Sequence, residues 1–449
     1  MNKFSLGSRH YLLAIFSLAI SSIPRVWVFL NYPFAFGNDS ATYIHLANSL
    51  RNNLGFAKYN GTRTPGYPLF ILMTGNGEFT YFTQLVLGLL TTLLIYILVW
   101  RLTKNAWLAF FLSLAHSLNL GQLFFEASLL SEASSTFLFF LTLLLAQEIY
   151  CQLSKSAAND NSRLVGISIL FGVVSLLMAA IRPLFLPVPF IAVLFIFWQN
   201  KFTVLGRSIS TSLLMILPLT IATLTWVSYI YLKFHILGLD AMGGYHLVNH
   251  TSSFFEKAPA EYQQITDIFL KYREIKVAET GSAVNTIWDA IPELMKTTKL
   301  NYYSLGRTMG TISSTLIKEN PREYWTNIAK GWFWFWKVGV FWLPNSIADA
   351  TTRLVLNTLL QAERAALIAI NAFFVFIPIV TFSAKVRKIF TKEVFLLFGT
   401  TLIWVTSVLQ TFAEHGDNPR FLAPAQSLVV LLVTIYHVQL IWKPANEQK

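Results

Sequence analysis

The sequence predicts an all-α integral membrane protein that crosses the bilayer about ten times. Of its 449 residues, 54% are hydrophobic and only 12% are charged, whereas about a quarter of the residues of a soluble chain are charged. The charged residues lie in short clusters between apolar runs of about 20 residues, the length of a helix that spans a bilayer core. Runs of this length favour helices over the short alternating strands of a membrane barrel.

Ten apolar runs are predicted to cross the membrane. The first one follows Lys3 and Arg9, but it has no small-residue cleavage site and contains Arg25, so we expect a retained span rather than a signal peptide. The predicted spans lie near residues 11–30, 80–100, 106–125, 129–150, 164–181, 183–199, 209–231, 354–382, 394–412 and 421–442.

The net charge of +12 is explained by membrane topology rather than by a nucleic-acid partner. Lysine and arginine collect in alternate connections, and the positive-inside rule places these connections and both termini in the cytoplasm. Cys151 is the only cysteine, which excludes an intrachain disulfide. The cationic connections contain Arg101, Lys104, Lys155, Arg163, Lys201, Arg207, Lys385, Arg387, Lys388 and Lys392.

The predicted topology leaves two long segments on the outer side and divides the chain into three parts. An N-terminal transmembrane core, residues 1–232, includes the first outer loop, residues 34–79. Residues 233–341 form a larger outer segment with helices along the membrane surface, and residues 342–449 form the C-terminal transmembrane helices.

The first outer loop is predicted to contain a helix and then a tight turn. Glycine and proline predict the turn, which runs from Gly61 to Pro68. The helix begins near Asp39 and lies along the membrane surface, because apolar residues recur at helical spacing. These apolar residues are Tyr43, Leu46, Ala47, Leu50 and Leu54.

The larger outer segment ends in a helix that leads to a tryptophan cluster. Asn320 followed by Pro321 predicts the start of this helix. Anchoring at the membrane interface is the simpler explanation of the cluster, and stacking on sugar rings is the alternative. The cluster consists of Trp325, Trp332, Trp334, Trp336 and Trp342.

Ionisable residues at the outer ends of the predicted spans are the most informative ones. Each costs at least a few kcal/mol against hydrocarbon unless it faces a cavity or a partner. Because all of them converge on one leaflet, we expect a charged, aqueous pocket at the outer membrane surface. They are Arg25, Asp39, Arg63, Glu126, Glu132, Arg182, Glu414, Asp417 and Arg420.

Several of these residues also have a simple structural explanation. Asp39 stands where a helix N-cap is expected, and Arg63 is placed to be an exposed loop cation or a ligand of lipid headgroups. Glu132 is placed to pair with Arg25 or Arg182 inside the membrane. Arg182 at a span end is also typical of a snorkelling side chain.

The order of the short motifs resembles the GT-C superfamily of polyprenyl-phosphate-sugar glycosyltransferases. Within it, the chain is similar to the branch of protein O-mannosyltransferases and lipid A aminoarabinose transferases. The resemblance covers the membrane portion, whereas residues 233–321 do not contribute to it. The motifs are Arg25, Asp39 with Tyr43, Arg63-Thr64-Pro65-Gly66-Tyr67-Pro68, Leu130-Ser131-Glu132, Arg182-Pro183 and Asn418-Pro419-Arg420-Phe421.

The resemblance implies roles for individual residues. Asp39 would be the catalytic base, while Arg63, Arg420 and Arg182 would bind the donor phosphate. Phe421 stands where relatives usually have tyrosine, so a hydroxyl is lost. Many relatives have paired acids in the first loop, whereas Asp39 has Asn38 and Ser40 as neighbours, which favours metal-independent catalysis without a cofactor. We expect four further residues to line the pocket: Tyr43, Tyr67, Glu132 and Asp417.

The predicted function is an inverting glycosyltransferase of the plasma (inner) membrane, with its active site on the extracytoplasmic face. Its partners would be a polyprenyl-phosphate-linked sugar, membrane lipid and an acceptor glycan, lipid or protein. Two alternatives remain. The first is a transporter or flippase of lipid-linked saccharides, which would need interrupted helices near the bilayer midplane. The second is a different transferase, either a ligase of lipid-linked oligosaccharides or a lipid-dependent acyl- or phosphotransferase, which would use the same outer pocket.

Overall fold

The structure is a computed structural model, and its described part is helical. The only β-bridge found there joins Ala35 to Ser128. The structure describes residues 4–52, 55–154, 161–200, 205–380, 394–415 and 418–442.

The N-terminal half contains ten described α-helices. Its first outer loop contributes two short ones. In chain order they are α1 (Phe4–Asn31), α2 (Asn38–Asn52), α3 (Gly66–Thr74), α4 (Glu78–Thr103), α5 (Ala106–Ser117), α6 (Leu120–Glu126), α7 (Glu132–Ser154), α8 (Asn161–Ile181), α9 (Val188–Asn200) and α10 (Leu205–Phe234).

The second half begins with the larger outer segment and then returns to long apolar helices. Its helices are α11 (Gly243–Thr251), α12 (Gln263–Thr280), α13 (Thr286–Thr298), α14 (Tyr302–Glu319), α15 (Pro321–Phe335), α16 (Ala350–Val380), α17 (Val394–Ala413), α18 (Asn418–Phe421) and α19 (Gln426–Trp442).

The prediction of a multi-pass helical membrane protein is confirmed. Eight described helices are long and apolar enough to cross a membrane, or nine if one bent pair counts as a single span. The bent pair is α5 with α6, which meet at 59° and occupy the predicted span at 106–125. The predicted span at 183–199 is a shorter apolar helix. These two regions account for the difference from the predicted ten spans.

The break between α5 and α6 is stabilised by side chains that bind the free backbone N–H groups of α6. The Asn119 side chain accepts a hydrogen bond from the backbone N–H of Gln122 at 2.6 Å. From α16, the Glu363 carboxylate accepts the N–H groups of Leu120 at 2.8 Å and Gly121 at 3.2 Å. A helix start inside an apolar bundle needs such partners because water is absent.

The larger outer segment has a hydrophobic core of its own. Tyr245, Phe255, Phe269, Leu294 and Leu316 are buried within it. Two of its helices touch backbone to backbone: a Cβ at Gly244 of α11 would overlap the carbonyl group of Gly306 in α14. The segment is therefore a packed unit rather than an extended loop.

Helix α15 joins this outer segment to the transmembrane helices. It begins at Pro321 after Asn320, as predicted. The Trp332 indole N–H donates to the Ser407 hydroxyl of α17 at 3.1 Å, and the Trp336 ring packs against Trp404. Trp332 and Trp336 thus take part in packing between helices. The prediction of interfacial anchors did not include this role.

The first outer loop is fixed to the transmembrane helices by backbone hydrogen bonds. The predicted helix is confirmed as α2, with its apolar face buried. Ala35 exchanges backbone hydrogen bonds with Ala127 and Leu129 at 2.9 and 2.8 Å. A Cβ at Gly66 would overlap the backbone of Ala180 in α8, so glycine is required where this loop meets the membrane core.

A buried ion pair connects the outer ends of α1 and α6. The Arg25 guanidinium donates from Nε and Nη2 to the two carboxylate oxygens of Glu126, both at 2.8 Å. It also donates to the Ser117 hydroxyl at 2.5 Å. Gly88 leaves room for this carboxylate, because a Cβ there would overlap it.

We expect Arg25→Met to destabilise the protein by about 3–5 kcal/mol, because the Glu126 carboxylate would stay buried without its partner. The measurement is thermal unfolding of the detergent-solubilised protein. The double variant with Met at both positions removes both charges and should recover most of the loss. A double variant that unfolds as early as the single one would contradict this explanation.

Candidate active site

Asp39 lies between two arginines that are distant in the sequence. Its Oδ1 accepts a hydrogen bond from Nη2 of Arg63, and its Oδ2 accepts one from Nη1 of Arg420, both at 2.7 Å. The Asp39 side chain is 24% exposed, so it remains accessible. The N-cap explanation is wrong, because α2 already begins at Asn38 and this carboxylate binds guanidinium groups from the loop turn and from α18.

Two further arginine–carboxylate ion pairs extend this cluster into a network. Arg420 also pairs with Glu132, and Nη2 of Arg182 donates to the same carboxylate at 2.5 Å. Glu132 is fully buried, which makes its two cationic partners necessary. With Arg63 included, three arginines face two carboxylates, so the network has one excess positive charge.

The charge of Asp39 is set by these neighbours. Burial raises the pKa of its carboxyl group, but Arg63 and Arg420 outweigh this effect, and the pKa is lower than its ordinary value. Burial lowers the pKa of Arg63, yet Asp39 together with Tyr43, Glu414 and Asp240 outweighs burial and leaves the pKa raised. Asp39 is therefore ionised at neutral pH. It is also a weak base while both guanidinium groups bind it.

Two cavities meet at Asp39. The large cavity has a volume of about 1090 Å³ and the small cavity about 440 Å³. Asn38, Asp39 and Arg420 line both of them. The Asp39 carboxylate thus stands in the wall between two spaces, where it can contact a ligand in either one.

The large cavity lies between the first outer loop and the larger outer segment. Its lining is rich in aromatic rings and hydrogen-bonding groups, and about half of these come from α11 to α14 and the connections between them. They include His45, Asn60, Thr62, Arg63, His246, Asn285, Trp288, Asp289, Tyr302, Tyr303, Trp334 and Glu414.

The small cavity combines an apolar wall with cationic side chains. It lies on the side of Asp39 that faces the connection after α15 and the helix α16. Its apolar lining residues include Phe125, Leu130, Val338, Val340 and Phe341, and its cations are Lys337, Arg364 and Arg420.

A histidine–carboxylate pair lies in the large cavity. Nδ1 of His246 is 3.2 Å from the Glu414 carboxylate. Burial and the positive charge of Arg63 lower the pKa of His246. The negative charges of Glu414 and Asp240 outweigh these two effects, so the pKa is raised. Burial raises the pKa of Glu414, and His246 outweighs it and lowers that pKa. The pair is thus charged under mildly acidic conditions.

Three of the predicted site residues come together as expected, and the others need correction. Asp39, Arg63 and Arg420 form one cluster, with Arg63 on the side of the large cavity. Arg182 is not among the lining residues of either described cavity, because its guanidinium packs on Phe421 and binds Glu132.

The prediction that Tyr43, Tyr67 and Glu132 line the pocket is wrong. All three are buried in the layer behind it, where the Tyr43 and Tyr67 rings pack edge to face. Sequence spacing identifies the buried face of a helix but not whether that face meets a cavity or other side chains. Asp417 lies outside the described residues.

Several lining residues are not among those predicted from the sequence. His246 and Trp288 come from the outer segment, which has no recognisable motif. Lys337 follows the tryptophan cluster, and Arg364 lies within α16. The sequence does contain a signal for Arg364. Glu363 and Arg364 are adjacent charges inside an apolar run, where ionisable residues are typically functional.

We expect His246→Gln to remove a pH-dependent part of the stability. A raised histidine pKa stabilises the fold fully below the ordinary value of about 6.5, and this stabilisation is lost as the pH rises through the raised value. The difference in unfolding temperature between wild type and variant should therefore be largest below about pH 6.5 and should shrink as the pH rises above it. His45→Gln, in the same cavity, is the control, and a pH-independent difference for His246→Gln would contradict the assignment.

Comparison with known proteins finds no relative of this chain. No protein-family model, curated protein sequence or solved structure matches it. The functional assignment therefore depends on the geometry around Asp39 and on the order of the short sequence motifs.

Proposed function

We propose that the chain is a glycosyltransferase that moves a sugar from a polyprenyl-phosphate donor to an acceptor hydroxyl, with Asp39 as the general base. The observation that supports this most is the position of an ionised carboxylate in the wall between two cavities. A base in that position reaches an acceptor in one cavity and a donor in the other. The resemblance of the motif order to the GT-C superfamily agrees with this proposal.

The donor class follows from the membrane and from the cations. A long isoprenoid chain partitions into the bilayer, because each buried methylene contributes about 0.8 kcal/mol. Its phosphate then lies near the headgroup plane, where helix ends such as that of α1 meet the first outer loop. Arg420 offers a planar guanidinium that suits phosphate oxygens.

The acceptor class follows from the large cavity. Hydroxyl-bearing ligands need hydrogen-bond partners, and Asn60, Asn285 and Asp289 supply them there. Trp288 and Tyr302 add aromatic faces, which suit the apolar faces of sugar rings. We therefore place the acceptor in the large cavity.

The proposed reaction is a single displacement. Asp39 takes the proton of the acceptor hydroxyl while the acceptor oxygen forms a bond to the anomeric carbon. The bond from this carbon to the phosphate oxygen breaks, and the polyprenyl phosphate leaves with the electron pair. Attack from the face opposite the phosphate inverts the anomeric configuration. The proton then passes from Asp39 to water in the large cavity.

Donor binding would also activate the base. Arg420 binds Asp39 in this structure and lines the small cavity, so a phosphate there competes for the same guanidinium. When Arg420 turns toward the phosphate, Asp39 loses one stabilising charge and its pKa rises. The carboxylate becomes a better base only once a donor is present.

Transport of a lipid-linked saccharide is the competing function. Transporters place their site at interrupted helices in corresponding positions of two repeats. The bent pair found in the described residues is α5 with α6, and Asn119 and Glu363 already bind the N–H groups at that break. The break therefore offers few free backbone groups to a substrate, which favours the enzyme.

We expect Asp39→Asn to lower the rate of sugar transfer by about 10²- to 10⁴-fold, because the amide cannot accept the acceptor proton. The measurement is transfer of radiolabelled sugar in detergent from a panel of polyprenyl-phosphate donors. Asp349→Asn is the matched control, since Asp349 accepts an N–H hydrogen bond at the start of α16 and lines neither cavity. Turnover of Asp39→Asn close to that of wild type would exclude Asp39 as the base.

A further inference from the structure

The two cavities beside Asp39 differ in their balance of charges. In the large cavity, cations and carboxylates are equal in number: Arg63, Lys276 and Arg420 stand against Asp39, Asp289 and Glu414. Among the described residues that line the small cavity, Lys337, Arg364 and Arg420 stand against one carboxylate, Asp39. An anionic ligand is therefore attracted to the small cavity.

Arg364 is a cation within an apolar helix. It lies in the segment 350–378, which is apolar enough to span a membrane. The described residues provide no ion pair for it, and the carboxylate of the adjacent Glu363 binds the backbone of α6. Its Nε is buried and has no hydrogen-bond partner there, and its one described contact is Gln361 at 3.4 Å. Such an arrangement is costly unless an anion binds.

Lys337 is the second cation of the small cavity that lacks a carboxylate. Its ammonium group lies 5.4 Å from the centre of the Trp334 ring, and its side chain is exposed. No ion pair of Lys337 occurs in the described part of the chain. Phe125, Leu130 and Phe341 form an apolar wall in the same cavity. The cavity thus presents cations beside a surface that suits a hydrocarbon chain.

We propose that the small cavity binds the phosphate of the polyprenyl donor through Lys337 and Arg364, with Arg420 shared between this phosphate and Asp39. The proposal rests on the proposed function, since the phosphate is that of the donor. It adds two phosphate ligands to those predicted from the sequence. Arg63 lines the large cavity but not the small one. In this proposal, Arg63 orients Asp39 toward the acceptor.

This assignment brings the donor and the acceptor together beside the base, where the two cavities meet. A phosphate in the small cavity places the anomeric carbon next to Asp39, and the hydroxyl oxygen of an acceptor in the large cavity attacks this carbon from the face opposite the phosphate. That order agrees with the inversion proposed above. It also explains why the chain retains an uncompensated arginine in α16, where a neutral residue would cost less.

The test is binding of a polyprenyl monophosphate to the purified protein in detergent, measured by native mass spectrometry. We expect Lys337→Gln and Arg364→Gln each to weaken binding by about tenfold, the effect of removing one charge-assisted hydrogen bond. Lys330→Gln and Arg353→Gln are the matched controls, because these cations lie on α15 and α16 outside both cavities, and both should bind as wild type does. The variant Arg364→Lys keeps the charge and should retain more affinity than Arg364→Gln.

Competitors identify the ligand. Polyprenol without phosphate should bind weakly and with equal affinity to wild type and variants. Phosphatidylglycerol and inorganic phosphate should compete poorly. Equal competition by either would overturn the assignment to a polyprenyl phosphate, and so would unchanged affinity in both glutamine variants that remain monodisperse on size exclusion.

The two proposals fail in different ways. Phosphate binding that depends on Lys337 and Arg364, with no sugar transfer from any donor, would support the binding site and contradict the glycosyltransferase. Sugar transfer by wild type, with an unchanged KM for the donor in both glutamine variants, would support the enzyme and contradict the binding site.

Discussion

The pairing of charges where the loop of residues 34–79 meets the ends of the long helices is the constraint on which the rest of the structure depends. Arg63, Asp39, Arg420, Glu132 and Arg182 form one continuous series of ion pairs. Each charge would be costly beside hydrocarbon, and each is stabilised by the next one. The series joins the first outer loop to α7, to the end of α8 and to α18. It therefore fixes the positions of elements that are distant in the chain.

The same pairing prepares the site for an anionic ligand. The carboxylate of Asp39 is ionised, but its two oxygens are engaged in hydrogen bonds with two guanidinium groups. A phosphate that draws Arg420 away would release this carboxylate as a base, so binding and activation would be one event. Under the proposed function, the base would stay weak until the donor has bound.

The motifs that resemble known glycosyltransferases and the outer segment that lacks such motifs contribute residues to different sides of the site. The motif residues Asp39, Arg63 and Arg420 supply the centre. The outer segment supplies the far wall of the large cavity, through residues such as His246 and Trp288. Chemistry would thus be encoded by the membrane helices and their first loop. Recognition of the acceptor would be encoded by α11 to α14, where sequence patterns give no guidance.

The sequence by itself determined the helical membrane class and the face that α2 buries, since hydrophobic periodicity and the cost of charges near lipid are local properties. The grouping of Asp39 with Arg63 and Arg420 was an expectation from the resemblance of the motif order. Only the tertiary structure decided which charges pair, that Tyr43, Tyr67 and Glu132 lie behind the cavity wall, and that Lys337 and Arg364 face the small cavity. Those outcomes depend on contacts between helices far apart in the chain. Spacing within one helix cannot show whether its polar side meets an ion, a ring or an open space.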